Sequence, residues 1–256
     1  MSWPHNRSGD PHSPTVVLLH GFMGSSHDWA KVQSRLSERH QCVAPTLPGH
    51  AGSGPAAQSF DELSRGLLEL LDSMRVERAH LAGYSMGGRL ALHTAIRHPD
   101  RVSKLVLVST SPGLLDPTER QARAAIDDRR ARAIEDDFSA FLNGWYRLPL
   151  FESLRRHEAY PAMLSRRKKG QPRDLAAIIS QLSPGRQPAA WPHLKSLSMP
   201  VMILTGALDE KYVALSRQMK EEIPDSRLEV LASVGHNPPL EDPTGAVEHI
   251  ENFLAA

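Results

Sequence analysis

"LAGYSMGGRL", residues 81–90, decides how the chain reads. Strand-forming residues run up to Ser85, glycines flank it, and a helical pattern follows at once. A serine in a G-x-S-x-G turn between strand and helix stands exposed at the tip, because the glycines let neighbouring backbone approach without a Cβ clash. Four residues on comes Arg89, in the first helical turn. A cation there opposes the helix dipole by up to about 1 kcal/mol. Arg89 therefore calls for a negative partner, either a structural carboxylate or a group on a substrate.

Outward from this turn, short apolar runs alternate with helical patterns. The runs are "TVVLLH" (15–20), "CVAPTL" (42–47), "AHLAGYS" (79–85), "KLVLVST" (104–110), "PVMILTG" (200–206) and "RLEVLAS" (227–233). Near-continuous Val and Leu suits strands buried on both faces of a parallel sheet. Helical patterns fall at 28–39, 59–74, 86–98, 211–223 and 243–254. The alternation predicts an α/β fold with a doubly wound, mostly parallel sheet. From Ser111 to about Lys195 the rhythm stops and charged helical stretches take over. The expected organisation is a core from residues 1–110 and 196–256, with a helical cap or lid at 111–195. Such a lid would lie over the carboxyl ends of the strands, where open α/β sheets bind ligands. "SPGRQPAAWPHL" (183–194) reads as the return to the core.

If Ser85 is a nucleophile, an acid and a histidine should follow it in that order, each just beyond a strand. Asp209 follows "PVMILTG", and His236 follows "RLEVLAS". His236 would take the serine proton while Asp209 fixes the imidazole tautomer and stabilises the imidazolium. Glu210, Glu241 and Asp242 are the rival acids. The oxyanion donors expected on such a turn are the backbone N–H of Met86, directly after the serine, and that of Phe22, in the loop "HGFMGSS" after the first clear strand.

Bulk properties exclude much else. The 256 residues are 40% hydrophobic and 23% charged, ordinary for a globular protein, and the net charge of +1 speaks against nucleic acid or a membrane surface as partner. The 13 histidines show no HExxH-like spacing, so no metal site is expected. The lone Cys42 cannot form an intrachain disulfide and suits a reducing compartment. The polar start "MSWPHNRSGDPHSP" does not read as a signal peptide. A cytoplasmic protein, monomeric or weakly self-associating, is the expectation.

The strand followed by "HGF", then "LPGHAGSG", "GYSMGG", a strand-end Asp and a strand-end His together resemble the α/β-hydrolase superfamily over nearly the whole chain. Its two leading antiparallel strands are expected to be shortened or absent. Within it, "HGFMGSSHDW", "GYSMGGR", "PGLLDPTERQAR", "WYRLPLFESL" and "SRRKKG" resemble the MenH family, the 2-succinyl-6-hydroxy-2,4-cyclohexadiene-1-carboxylate (SHCHC) synthases. The resemblance implies a cofactor-free lyase of menaquinone biosynthesis. Its substrate, a small polycarboxylate, would be 2-succinyl-5-enolpyruvyl-6-hydroxy-3-cyclohexene-1-carboxylate (SEPHCHC), from which it releases pyruvate. Arg89, Arg123 and Arg166 would then bind carboxylates, with Arg167 the adjacent choice in the same motif. Lys211 would add charge at the rim. Trp145, Tyr146 and Phe151 match aromatic positions of the family's pocket, and Tyr84 and Phe22 flank the reacting atoms. "TLPGHA" departs from the family's DLPGHG at Thr46 and Ala51, outside the triad. The competing readings are a serine esterase or C–C bond hydrolase using the same triad on an acidic substrate, and a binding protein of this fold.

Overall fold

The structure, a computed structural model, describes residues 3–256. Met1 and Ser2, the start of the expected core segment, lie outside the described residues. Seven strands form one sheet: β1 (His5–Ser8), β2 (Thr15–Leu19), β3 (Gln41–Pro45), β4 (Ala79–Tyr84), β5 (Val102–Val108), β6 (Val201–Gly206) and β7 (Ser226–Leu231). Their order is β1-β3-β2-β4-β5-β6-β7, parallel except for β1, which runs antiparallel to β3. One short leading strand thus survives at the edge, where its four residues pair His5 with Pro45 through Ser8 with Cys42.

Alternate residues of each central strand feed opposite faces, as the two-residue strand period requires. Val17, Leu19, Leu105, Leu107, Val201 and Ile203 face one hydrophobic cluster, and Val16, Leu18, Val106, Val108, Met202 and Leu204 face the other. Helices cover both sides. In chain order they are α1 (Ala30–Leu36), α2 (Phe60–Ser73) and α3 (Met86–Arg97); then α4 (Pro117–Asp136), α5 (Phe138–Tyr146), α6 (Glu152–Arg156), α7 (Tyr160–Arg167) and α8 (Pro172–Gln181); and last α9 (Glu210–Glu222), α10 (Pro238–Glu241) and α11 (Pro243–Ala255). α2 shows why these segments are helical. Ser59 caps it by accepting the Glu62 N–H, Glu62 reaches back to the Gln58 N–H, and Phe60, Leu63, Leu67, Leu70 and Leu71 form its buried stripe.

No strand occurs between β5 and β6, and α4–α8 fill that interval. They have a core of their own, with Ile134, Leu142, Leu154, Met163, Leu175 and Ile179 meeting Met23 and Leu240 from the sheet side. The two ends of the interval are stapled together. The Ala190 N–H donates to the Pro112 carbonyl at 2.6 Å, and the Trp191 indole donates to the Gly113 carbonyl at 3.0 Å. The last residues of the expected 111–195 segment, Ala190 and Leu194, pack into the sheet-side cluster rather than the lid. No helix among the described residues is long and apolar enough to cross a membrane.

Candidate active site

β4 ends at Tyr84, and the chain reverses at Ser85 with φ 51° and ψ −109°. A non-glycine residue held in such a region costs on the order of 1–3 kcal/mol, and the surroundings must impose it. Here they do. A Cβ on Gly83 would strike the Gly87 carbonyl, and one on Gly87 would strike the Leu19 carbonyl, so only glycine lets α3 start this close to the sheet. The Ser85 N–H donates to the Val108 carbonyl at 2.9 Å, and its carbonyl accepts from Arg89 at 3.0 Å, which opens α3.

The two sequence-expected partners form a chain to the serine, Asp209 through His236. The His236 Nδ1–H donates to Asp209 Oδ2 at 2.7 Å, which leaves Nε2 as the acceptor facing the Ser85 hydroxyl at 3.4 Å. That last contact is long, as such bonds often are before a substrate tightens them. Asp209 also caps α9, its Oδ1 accepting the Tyr212 N–H at 3.4 Å. The rival acids have other work: Glu241 accepts the Gly235 and Asn237 N–H groups, Asp242 caps α11, and Glu210 lies in the first turn of α9. Three rings enclose the imidazole, Tyr212 at 4.6 Å, Tyr84 at 5.4 Å and Phe151 at 6.0 Å between centroids.

Met86 is the first residue of α3, so its N–H has no acceptor within the helix. The Phe22 N–H, in the loop after β2, has no acceptor among the described residues. His20 holds that loop. Its Nδ1–H donates to the Gly21 carbonyl at 2.8 Å while Nε2 accepts the Leu47 N–H at 2.9 Å. This pattern needs a neutral ring, and burial supplies one by pulling His20 down to about 3. His50, edge-on to it at 4.9 Å, is likewise pushed to about 3 by burial and by His20.

A cavity of about 210 Å³ opens above the serine, and Ser85 and His236 share its wall with Arg89, Arg123 and Arg167. Arg89 finds no carboxylate. Its Nη1 donates to the Leu182 carbonyl at 2.9 Å and to Gln187 Oε1 at 2.8 Å, and its guanidinium lies 5.0 Å from the Phe60 ring. Burial, with Arg123 nearby, lowers it to about 10, so it stays charged at neutral pH. Arg123 is held by Asp127 at 2.8 Å, a fully buried carboxylate that also takes Arg130 at 2.9 Å and the Ser183 hydroxyl at 2.7 Å.

The third cation is a correction. The expected Arg166 does not line this cavity; it lies 3.9 Å from Asp28 on a separate groove that His27, Lys31 and Glu158 also line. Arg167 does line it, buried, donating to Asp28 Oδ2 at 2.5 Å and to the Tyr146 hydroxyl at 3.3 Å. The cause is helical phase. Met163 and Arg167 are one turn apart on the inward face of α7, and Arg166 is rotated about 100° away. Burial opposes the Arg167 charge, but Asp28 and Tyr146 outweigh it and raise its pKa.

Phe22, Tyr84, Trp145, Tyr146 and Phe151 line the cavity as expected, and Lys211 lies exposed at its rim. Trp145 rests edge-on to Phe22 at 5.5 Å beneath the Arg130 guanidinium at 5.1 Å. Sequence reasoning passed over Tyr212, Asp127 and Gln187. Asp127 carried a signal, since it stands four residues after Arg123. Gln187 carried none.

A family model described as the alpha/beta hydrolase fold matches residues 14–243. A putative SHCHC synthase of Bacillus subtilis (strain 168) is 32% identical over 252 residues, covering 95% of this chain and 91% of its own. The chloroplastic protein PHYLLO of Arabidopsis thaliana is 29% identical across 98% of this chain, which spans only 16% of that longer protein. The solved structure of MenH from S. aureus superposes with a TM-score of 0.94 at 30% identity, covering 100% of this chain and 98% of that one. Because the agreement extends through the α4–α8 segment as well as the sheet, the chain belongs to the α/β-hydrolase family and, within it, to the SHCHC synthases.

Proposed function

We propose that this chain is a carbon–oxygen lyase that forms SHCHC by expelling pyruvate from SEPHCHC, the SHCHC synthase step of menaquinone biosynthesis. One observation carries the reading: a single cavity joins a Ser85–His236–Asp209 relay to three guanidinium groups from three separate helices. Asp127 and Asp28 offset two of these charges, but Arg89 is buried with no carboxylate partner, and a buried cation is costly unless an anion meets it. A substrate with several carboxylates is such an anion, whereas an ester with an uncharged acyl chain is not. The full-length likeness to proteins named SHCHC synthase supports the same choice.

The chemistry follows from the names of substrate and product, since a 3-ene becomes a 2,4-diene. His236 Nε2 takes the Ser85 proton, and the serine oxygen removes the proton from the ring carbon beside the succinyl ketone. Negative charge moves to the ketone oxygen, where the Phe22 and Met86 amides receive it. The electron pair then returns through the ring double bond, the carbon–oxygen bond to the enolpyruvyl group breaks, and the departing enolate takes up a proton to become pyruvate. Asp209 stabilises the imidazolium meanwhile. The three arginines orient the carboxylates, with the 111–195 segment acting as lid over a core that carries the chemistry.

The test is pyruvate release from enzymatically generated SEPHCHC, with Ser85→Ala and short p-nitrophenyl esters alongside. Fast release that collapses in the variant, with poor ester cleavage, is the expected result. Ser85-dependent ester cleavage without pyruvate release would overturn the lyase reading in favour of a hydrolase.

A further inference from the structure

Tyr212 sits in the first turn of α9, where Asp209 fixes it by accepting its N–H. Its ring is engaged, lying 4.6 Å from the His236 ring between centroids. Its hydroxyl is not. The residue lines the cavity, yet among the described residues no protein acceptor takes the phenolic proton. Tyr212 is half-buried, so its hydroxyl is open to the cavity and free to donate to a bound group. The charged neighbours of this one are Asp209, already shared between His236 and the α9 cap, and the guanidinium groups of Arg89 and Arg123. Guanidinium groups offer only donors. Burial, then Asp209, keeps the phenol protonated and therefore a donor, and Arg89 and Arg123 do not reverse this. The Arg89 bonds within the protein use Nη1 alone, and Arg123 bonds Asp127 through Nε. Tyr212, Arg89 and Arg123 thus bring three donor groups to one cavity.

We propose that the Tyr212 hydroxyl is a substrate-binding donor, completing with Arg89 and Arg123 a three-sided seat for one substrate carboxylate next to His236. The inference rests on the lyase reading above. It assigns Tyr212 two tasks on two sides of one ring: the face steadies the imidazole, and the hydroxyl fixes the carboxylate. A hydrogen bond to a charged group in such a seat governs affinity first, since it is present in the bound substrate and in the transition state alike.

Tyr212→Phe separates the tasks, because it keeps the ring and removes the hydroxyl. The expected result is a fall in kcat/KM for pyruvate release of about tenfold, carried mainly by KM. In an Arg89→Ala background the same change should cost less than about threefold, since groups sharing one carboxylate are not additive. Product SHCHC, titrated calorimetrically into Ser85→Ala and into Ser85→Ala/Tyr212→Phe, should show the same loss of about tenfold without turnover. An unchanged KM, or full additivity with Arg89→Ala, would overturn the proposal while leaving the lyase intact. Absence of pyruvate release by the unmodified chain, with no SHCHC binding to Ser85→Ala, would overturn both.

Discussion

The floor of the cavity and its lid are built by different means. On the floor, the reacting groups stand at strand ends, and backbone geometry places them: the strained Ser85, the glycines that let α3 approach, and Asp209 doubling as a helix cap. In the lid, buried ion pairs place the groups, Asp127 with Arg123 and Arg130, and Asp28 reaching across from the core to Arg167. Under the proposed function, the floor would carry the chemistry and the lid would select the substrate by holding charge in register.

That contrast can be broken, and the largest effect belongs to the floor. Ser85→Ala should lower kcat by about 10³-fold with an unchanged melting temperature, since it removes the proton-transferring group and relieves no packing. A modest loss would mean that His236 reaches the substrate unaided. Next comes the junction. Arg167→Ala leaves the buried Asp28 carboxylate with Arg166, 3.9 Å away, as its remaining ion-pair partner, so the loss should approach the value of about 3–5 kcal/mol seen when a buried pair is broken. Denaturant unfolding should show this loss, and kinetics should show a raised KM. Unchanged stability would mean that the lid is not tied to the core through Asp28.

Acid probes the floor again. His20 and His50 are held neutral at about 3 in the fold but would titrate near 6.5 when unfolded. Their contribution to stability is present in full above pH 6.5 and is lost as pH falls from there towards 3, because the unfolded chain takes up protons that the fold refuses. The slope is about 1.4 kcal/mol per pH unit for each ring. Urea midpoints measured between pH 7 and 5 check it, and a flat profile would contradict the neutral, loop-holding role of His20. The smallest effect is Arg166→Ala, expected within about 0.5 kcal/mol in stability and within twofold in kcat/KM. Comparison with Arg167→Ala isolates helical phase from sequence adjacency.

The same division explains what the sequence disclosed. Strands near-continuous in Val and Leu, the G-x-S-x-G turn and strand-end Asp209 and His236 are local signals, legible because backbone geometry demands particular residue types there. Arg166 against Arg167 was not legible. "SRRKKG" offers two adjacent arginines, and only the packing of Met163 on the lid core decides which points inward. Gln187 meets Arg89 for an equally non-local reason, since the proline-rich return happens to pass behind α3. Only the resemblance pointed to a shortened leading strand, because the four polar residues of β1 at the sheet edge bury too little to leave an apolar pattern.

The staple joining Pro112 to Ala190 and Gly113 to Trp191 has a consequence for the length of the chain between them. Because the lid's two ends leave the core side by side, β5 and β6 pair from Leu105 with Val201 onward without regard to what lies between them. Closing a longer excursion costs little, about 0.6 kcal/mol for each doubling of its length. Added length between the two ends by itself therefore costs the fold little, provided that the lid's contacts with Asp28, Met23 and Leu240 are kept.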